Sequence, residues 1–309
     1  MENQVKLSVI VPCYNEEHNL IFFFKRLVTT LKKLSISYKI YFIDDGSKDN
    51  TWNIIKTIYL DNKDIIGVKF SKNFGHQFAL SAGFQLANSE YVFILDADLQ
   101  DPPELLENMY IKITKENLNV VYAKRKKSSE TFFKKYSSKF FYKIFNFLSD
   151  VKIPEDTSDF RIIDKKILKE IKNISEKDPF YRALIPWMGF KSGMVEFERS
   201  NRKRGESGWS YSKMINFTIA AIVNFSNIPI RLSFFLSIIM SFIFMITSFY
   251  ALYSYITGNV VKGWTSIFLI ICFFNIIVFF LIGVISEYIG KIHREVKNYP
   301  NFIIDEKIG

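Results

Sequence analysis

The sequence predicts an α/β fold, a mainly parallel sheet with helices on both faces, followed by a hairpin of two transmembrane helices. Three observations lead there. Short apolar runs at residues 7–11, 40–43, 65–70, 91–95 and 119–122 alternate with stretches of helical period. The loops after the first four runs are polar, and in such sheets ligands bind beyond the carboxyl ends of the strands. Near the C-terminus, residues 232–256 and 264–286 carry no charge, and at ~1.5 Å per residue each can cross a hydrocarbon core of ~30 Å.

The first run ends in Pro12-Cys13-Tyr14-Asn15-Glu16. A helix is expected next, with Asn15 as its N-cap and Glu16 and Glu17 at its positive end. Leu20, Phe23, Leu27, Leu31 and Leu34 would form its buried face. Asp44, Asp45, Gly46, Ser47 and Asp49 follow the second run, and Ser71, Asn73, Phe74 and Gly75 follow the third. Asp44-Asp45-Gly46-Ser47 taken alone is also ordinary turn chemistry. His76 reads as a surface residue at a helix start.

The fourth run changes polarity abruptly at Asp96, with Asp98 two residues on. Alternate side chains of an extended strand point the same way, so both carboxylates would face one side. Pro102 and Pro103 then stop the strand and open a helix. Two like charges at the end of a buried strand cost energy unless something positive sits between them. A divalent cation carrying a diphosphate meets that need.

Composition narrows the class. The chain has 309 residues, 49% of them hydrophobic, and a formal charge of +10. That charge fits an anionic membrane surface and phosphorylated substrates; nucleic acid is set aside because no binding module accompanies the spans. Cys13 and Cys272 have neither disulfide nor zinc spacing. Residues 6–11 run into Pro12 and read as a strand, not a signal peptide. Between the spans only Lys262 is charged, whereas Arg231, Lys291, His293, Arg294 and Lys297 flank them. Both termini are therefore expected in the cytoplasm, at the plasma (inner) membrane. The expected layout is a catalytic domain at 1–210, an interfacial helix or linker at 211–230, the spans within 231–290 and a tail at 291–309. Residues 131–148 interleave Phe and Tyr with lysines at spacings of three and four; such a helix either lies in the membrane interface or packs on the sheet. Phe-rich spans also suit a homo-oligomer.

At this point the residues resemble a known family. Val9 to Glu16, then Ile43-Asp44-Asp45-Gly46-Ser47, then Asp96-Ala97-Asp98-Leu99-Gln100-Asp101-Pro102-Pro103 are similar to the family 2 inverting nucleotide-sugar glycosyltransferases with a type A (GT-A) fold. Within that group they look most like the polyprenyl-phosphate glycosyltransferases, which include dolichyl-phosphate mannosyltransferase and the bacterial enzymes that glucosylate undecaprenyl phosphate. The resemblance implies that Pro12, Tyr14, Glu16, Asp44, Asp45, Asp96, Ala97 and Asp98 line the nucleotide-sugar pocket. It implies that Asp96 and Asp98 hold Mg2+ or Mn2+, with Asp98 the more direct ligand. Asp159 matches the family's catalytic aspartate, and Asp164 reads as the cap of the following helix. Arg125 matches the first of the arginines after the fifth strand, with Lys127 or Ser128 where a second is usual. Arg161, Arg199, Arg202 and Ser207 complete the expected acceptor and phosphate contacts, although 199–204 also reads as a solvated basic run.

The implied reaction is inverting transfer of a hexosyl group from a UDP-linked sugar to undecaprenyl phosphate. A processive polysaccharide synthase is disfavoured because no Gln-x-x-Arg-Trp occurs, and a non-catalytic membrane subunit because the aspartates are intact. A dinucleotide-dependent oxidoreductase is excluded because no Gly-x-Gly-x-x-Gly follows any strand.

Overall fold

The computed structural model describes residues 5–126, residues 154–198 apart from 155, 156, 175 and 178, scattered positions between 235 and 257, and residues 263–309 apart from 298. Lys127, Arg199, Arg202, Ser207, the 131–148 segment and the 211–230 segment lie outside the described residues. The described residues divide into two compact units, an α/β domain that includes residues 299–309 and a C-terminal helical segment.

In the α/β domain the strands are β1 (Leu7–Cys13), β2 (Tyr38–Asp44), β3 (Ile65–Phe70), β4 (Tyr91–Ile94), β5 (Val120–Arg125), β6 (Thr157–Asp164), β7 (Ser192–Phe197) and β8 (Ile304–Ile308). They form one sheet in the order β7-β5-β6-β4-β1-β2-β3-β8. β1 pairs in parallel with β2 and β4, β2 with β3, and β5 with β7. Only β6 and β8 run against the rest. The helices are α1 (Leu20–Leu34), α2 (Thr51–Asp61), α3 (His76–Leu86), α4 (Leu105–Lys115), α5 (Lys165–Asn173) and α6 (Tyr181–Trp187).

The inner strands are apolar throughout because both faces are covered. Leu7, Val9 and Val11 of β1 join the core under α1, α2 and α4, while Ile10 joins the core under α3, α5 and α6. The expected face of α1 is buried at Leu20, Phe23, Leu27 and Leu31. Its start differs from expectation: Asn19, not Asn15, precedes the helix. Asn15 instead takes a left-handed φ of 56°, because its amide donates to Ser47 Oγ and its side chain accepts from Lys48 N. Asp164 caps α5 as expected, accepting from Ile167 N at 3.0 Å.

In the other unit a single helix, α7 (Trp264–Lys297), covers the second expected span and continues past residue 286, since Glu287 and Lys291 interrupt apolarity but not helix formation. Its Phe273–Lys297 portion is long and apolar enough to cross a membrane. Of the first expected span, the described positions, such as Phe235, Phe242, Phe249 and Tyr253, are helical and exposed. The expected tail at 291–309 divides: 291–297 continue α7, and 304–308 are a strand of the sheet.

Candidate active site

The loops after the parallel strands meet at one edge and are laced together. Glu16 N donates to Thr51 Oγ1 at 2.8 Å, Glu17 N to Asp49 Oδ2 at 3.1 Å, and Asp45 N to Cys13 O at 2.9 Å. Pro12 is buried at the end of β1 and Tyr14 is exposed beside it. Asp44 and Asp45 are both buried but differ in what they hold. Asp45 accepts from Asn73 Nδ2 at 3.0 Å, from Phe74 N at 2.7 Å and from Gly75 N at 2.9 Å. Its carboxylate is spent on fixing the loop after β3. Asp44 Oδ1 accepts from Ser47 N at 3.0 Å, and among the described residues its buried Oδ2 has no partner. Burial pushes both carboxyls up, opposed by the Ser47 contacts at Asp44 and by the Phe74 and Gly75 amides at Asp45. An acceptor oxygen buried without a donor is costly unless a ligand supplies one. Asp44 therefore fits ligand contact and Asp45 fits loop support.

Beyond β4, Ala97 is buried, and Asp98 Oδ1 accepts from Gln100 N at 3.1 Å, closing a turn in which Leu99 has a φ of 61°. A leucine held in the left-handed region stores strain, which is retained where the surroundings fix the turn. The antiparallel register sets Ile94 opposite Arg161; continued past the end of β4, it brings Asp159 opposite Asp96. A polar cluster forms there. His76 Nε2 lies 2.8 Å from Asp96 Oδ1 and His76 Nδ1 lies 4.0 Å from Asp159 Oδ2. Arg182 Nε donates to Asp159 Oδ2 at 3.0 Å and Gln77 Nε2 to the same oxygen at 3.4 Å. Arg161 Nη2 donates to Asp159 Oδ1 at 2.9 Å.

These contacts set the charge states. Burial alone would raise the Asp159 carboxyl, but Arg182, Arg161 and His76 outweigh it and hold it at about 2. Burial opposes ionisation of Asp96 too, and His76 overcomes it, so that carboxyl falls below its ordinary value. In His76 burial disfavours the imidazolium, but Asp96 and Asp159 prevail and raise its pKa.

Arg161, expected among the acceptor and phosphate contacts, is enclosed within the domain. Its side chain is buried, donating to Ser158 O at 3.0 Å, Tyr181 O at 3.1 Å and Asp159, with its guanidinium 5.4 Å from the centre of the Tyr122 ring. A guanidinium enclosed in this way holds Asp159 in place. Arg125 closes β5, and among the described residues its buried Nε has no partner, which suits an anion contact. His76, Gln77 and Arg182 escaped the sequence reading. His76 had a usable signal, because it opens α3 directly after the β3 loop on the ligand-binding edge; Arg182 lies on a short helix that nothing local ties to the site.

Asp96 and Asp98 offer oxygen donors only, which suits a hard cation. Among the described residues no group of three or more His, Cys, Asp or Glu side chains is placed to hold a metal. Two carboxylates still fit Mg2+ or Mn2+, since such ions in phosphate chemistry draw their other ligands from substrate and water.

A mainly parallel, doubly covered sheet carries an aspartate pair past its fourth strand, beside a charged cluster drawn from α3, β6 and α6, and the family match gives this arrangement its class. The chain belongs to glycosyl transferase family 2, whose model matches residues 8–172. It is a glycosyltransferase. Among its relatives, the uncharacterized glycosyltransferase YkcC of Bacillus subtilis (strain 168) is 39% identical, with 100% of this chain and 96% of that protein covered. The prophage bactoprenol glucosyl transferase homolog of Escherichia coli (strain K12) is 32% identical over 97% of this chain and 98% of its own. The bactoprenol glucosyl transferase of Shigella phage SfII is also 32% identical, over 97% of each chain. Among solved structures, S. aureus TarS 1-349 in complex with UDP-GlcNAc matches with a TM-score of 0.49 at 19% identity, covering 71% of this chain and 66% of that one.

Proposed function

We propose that this enzyme transfers a hexosyl group from a UDP-linked sugar to undecaprenyl phosphate, with inversion at the anomeric carbon, for cell-envelope glycan modification. The observation that carries this reading is the meeting of Asp96, His76, Asp159 and Arg182 at the edge where the nucleotide loops converge. It is supported by relatives named as bactoprenol glucosyl transferases that span nearly the whole chain. An acceptor of this kind is membrane-borne, which agrees with the apolar Phe273–Lys297 helix and the cationic residues at its end. On this reading the protein is a multi-pass protein of the plasma membrane with its catalytic domain in the cytoplasm.

In the step itself, a phosphate oxygen of the acceptor attacks the anomeric carbon. The bond from that carbon to the nucleoside diphosphate breaks, and its electron pair leaves on the diphosphate. A phosphate monoester with a second pKa of about 6 is largely deprotonated at neutral pH, so it needs little help from a base. Asp159 is suited to orientation, because a carboxyl held at about 2 by two arginines is a poor proton acceptor. Asp44 would meet the nucleoside, and Asp96 and Asp98 would hold Mg2+ or Mn2+ on the diphosphate. When bound, that ion supplies electrostatic stabilisation of the charge on the departing diphosphate. Arg125 would meet the acceptor phosphate, alongside Lys127, Arg199, Arg202 and Ser207.

The test is a panel of UDP- and GDP-linked sugars offered with undecaprenyl phosphate, the lipid product being identified by mass spectrometry. One sugar joined to lipid phosphate supports the reading; sugar polymer, or no lipid product from any donor, overturns it.

A further inference from the structure

The last residues of the chain, beyond α7, are built into the catalytic domain. β8 pairs antiparallel with β3, and Ser71 N donates to Ile303 O at 3.0 Å, so the pairing reaches the first residue of the loop after β3. Phe302 stacks on Phe70 with ring centroids 4.9 Å apart and planes 13° apart. Phe74 meets the same Phe70 ring edge-on at 5.8 Å. On the adjoining helix, Trp52 Nε1 donates to Glu306 Oε2 at 2.5 Å, and Lys56 Nζ lies 3.8 Å from it. The approach to the strand is pinned by Lys177 Nζ donating to Tyr299 O and Asn301 Nδ2 donating to Glu176 O, each at 2.9 Å. The fit along the edge is close: a Cβ on Gly67 would lie 2.8 Å from Ile308 Cγ1.

What β8 supports is the back of the nucleotide loops. Residues 73–75 are the ones that saturate Asp45, and α2, which Glu306 grips through Trp52, begins at Thr51, the acceptor for Glu16 N. A strand added only to shield the β3 edge would cover its unpaired amides and carbonyls. It would not need an aromatic stack that runs from Phe302 through Phe70 to Phe74 inside the loop. We propose that β8 is a positioning strand for nucleotide binding: Phe302 sets the Phe70–Phe74 contact, and with it the reach of residues 73–75 to Asp45. The inference rests on the reading that the loops after β1, β2 and β3 take the nucleotide.

The test uses the full chain in detergent, with UDP as probe. Phe302→Ala weakens UDP binding by calorimetry and raises the KM for the donor accepted in the panel, each about tenfold, while kcat stays within about twofold. Phe302→Tyr, which keeps the ring, restores both. Amide exchange at Phe74 and Gly75 quickens in Phe302→Ala while β1 and β4 stay protected. Unchanged UDP affinity and KM in Phe302→Ala, or exchange that quickens evenly across the sheet, overturns the proposal. If the unaltered enzyme binds no UDP but Phe302→Ala still quickens exchange only at residues 71–75, the nucleotide reading falls and the loop support stands.

Discussion

His76 Nε2 stands 2.8 Å from Asp96 Oδ1, joining the first residue of α3 to the end of β4. With His76 Nδ1 facing Asp159, one imidazole spans the carboxylate proposed for the metal and diphosphate and the carboxylate proposed for orientation. It is a positioning residue, since it acts through Asp96. Replacing a partner that orients a ligating carboxylate costs about 10–100-fold in metal affinity or activity. His76→Ala is expected to lower kcat/KM by that order, and His76→Gln, which can still donate to Asp96, to recover part of it. Steady-state kinetics on the two variants, with thermal melting as a check on folding, decides the matter; activity equal to that of the unaltered enzyme in both would show that the contact is incidental.

Asp159 makes a prediction about pH. Its folded pKa of about 2 lies below its unfolded value of about 3.9, so the stability it contributes is fully present above that unfolded value and is lost as pH falls toward 2. Asp159→Asn is expected to lose on the order of 2 kcal/mol at neutral pH, and more if Arg161 is left buried and unpaired. Its denaturation midpoint should be flatter than that of the unaltered protein between about pH 4 and 2. Turnover should remain measurable, with a flat profile between about pH 7 and 8, because the acceptor phosphate is already ionised. Complete loss of turnover with substrate binding intact would assign Asp159 the role of base instead.

The aspartate pair is tested by binding. Asp98→Ala and Asp96→Ala are each expected to abolish the part of UDP affinity that depends on Mg2+ or Mn2+. Calorimetry with and without the ion reads this directly, and unchanged UDP affinity in its presence would remove Asp96 and Asp98 from the site. Asp98→Ala also leaves Gln100 N without its acceptor, so its melting temperature is measured alongside.

The legible part of the fold was the part whose signal is local. The run at 65–70 matches β3, because a strand buried on both faces must be apolar along its length. The acidic step at Asp96 and Asp98 is a local signal too, since the change from apolar to acidic falls just past the strand's end. β6 was not legible, since Ser158, Asp159 and Arg161 break its apolar pattern. They are satisfied by one another and by Gln77, Tyr181 and Arg182, which depends on elements far away in sequence. β8 carries Asp305, Glu306 and Lys307, which suit an exposed edge and read locally as a tail. The contacts of His76 follow from a register that sets Asp159 opposite Asp96, a relation that no window of sequence contains.

Gly46 and Gly189 form a matched pair for testing how closely the loops after β2 and β3 interlock. Both are left-handed, with φ of 67° and 71°. A Cβ on Gly189 would meet nothing within 4 Å, whereas one on Gly46 would lie 2.3 Å from the Lys72 carbonyl carbon and 2.7 Å from Asn73 N. Gly189→Ala thus incurs only the conformational penalty of about 1–2 kcal/mol, far from the site. Gly46→Ala adds a clash with backbone that cannot rotate away, so it must displace residues 72–73 and, through Asn73, disturb the hold on Asp45. It is expected to destabilise by about 2–4 kcal/mol and to weaken UDP binding, where Gly189→Ala leaves binding unchanged. Equal melting shifts and equal UDP affinities in the two variants would show that the loops after β2 and β3 move independently, and Asp45 would then have no part in shaping the pocket.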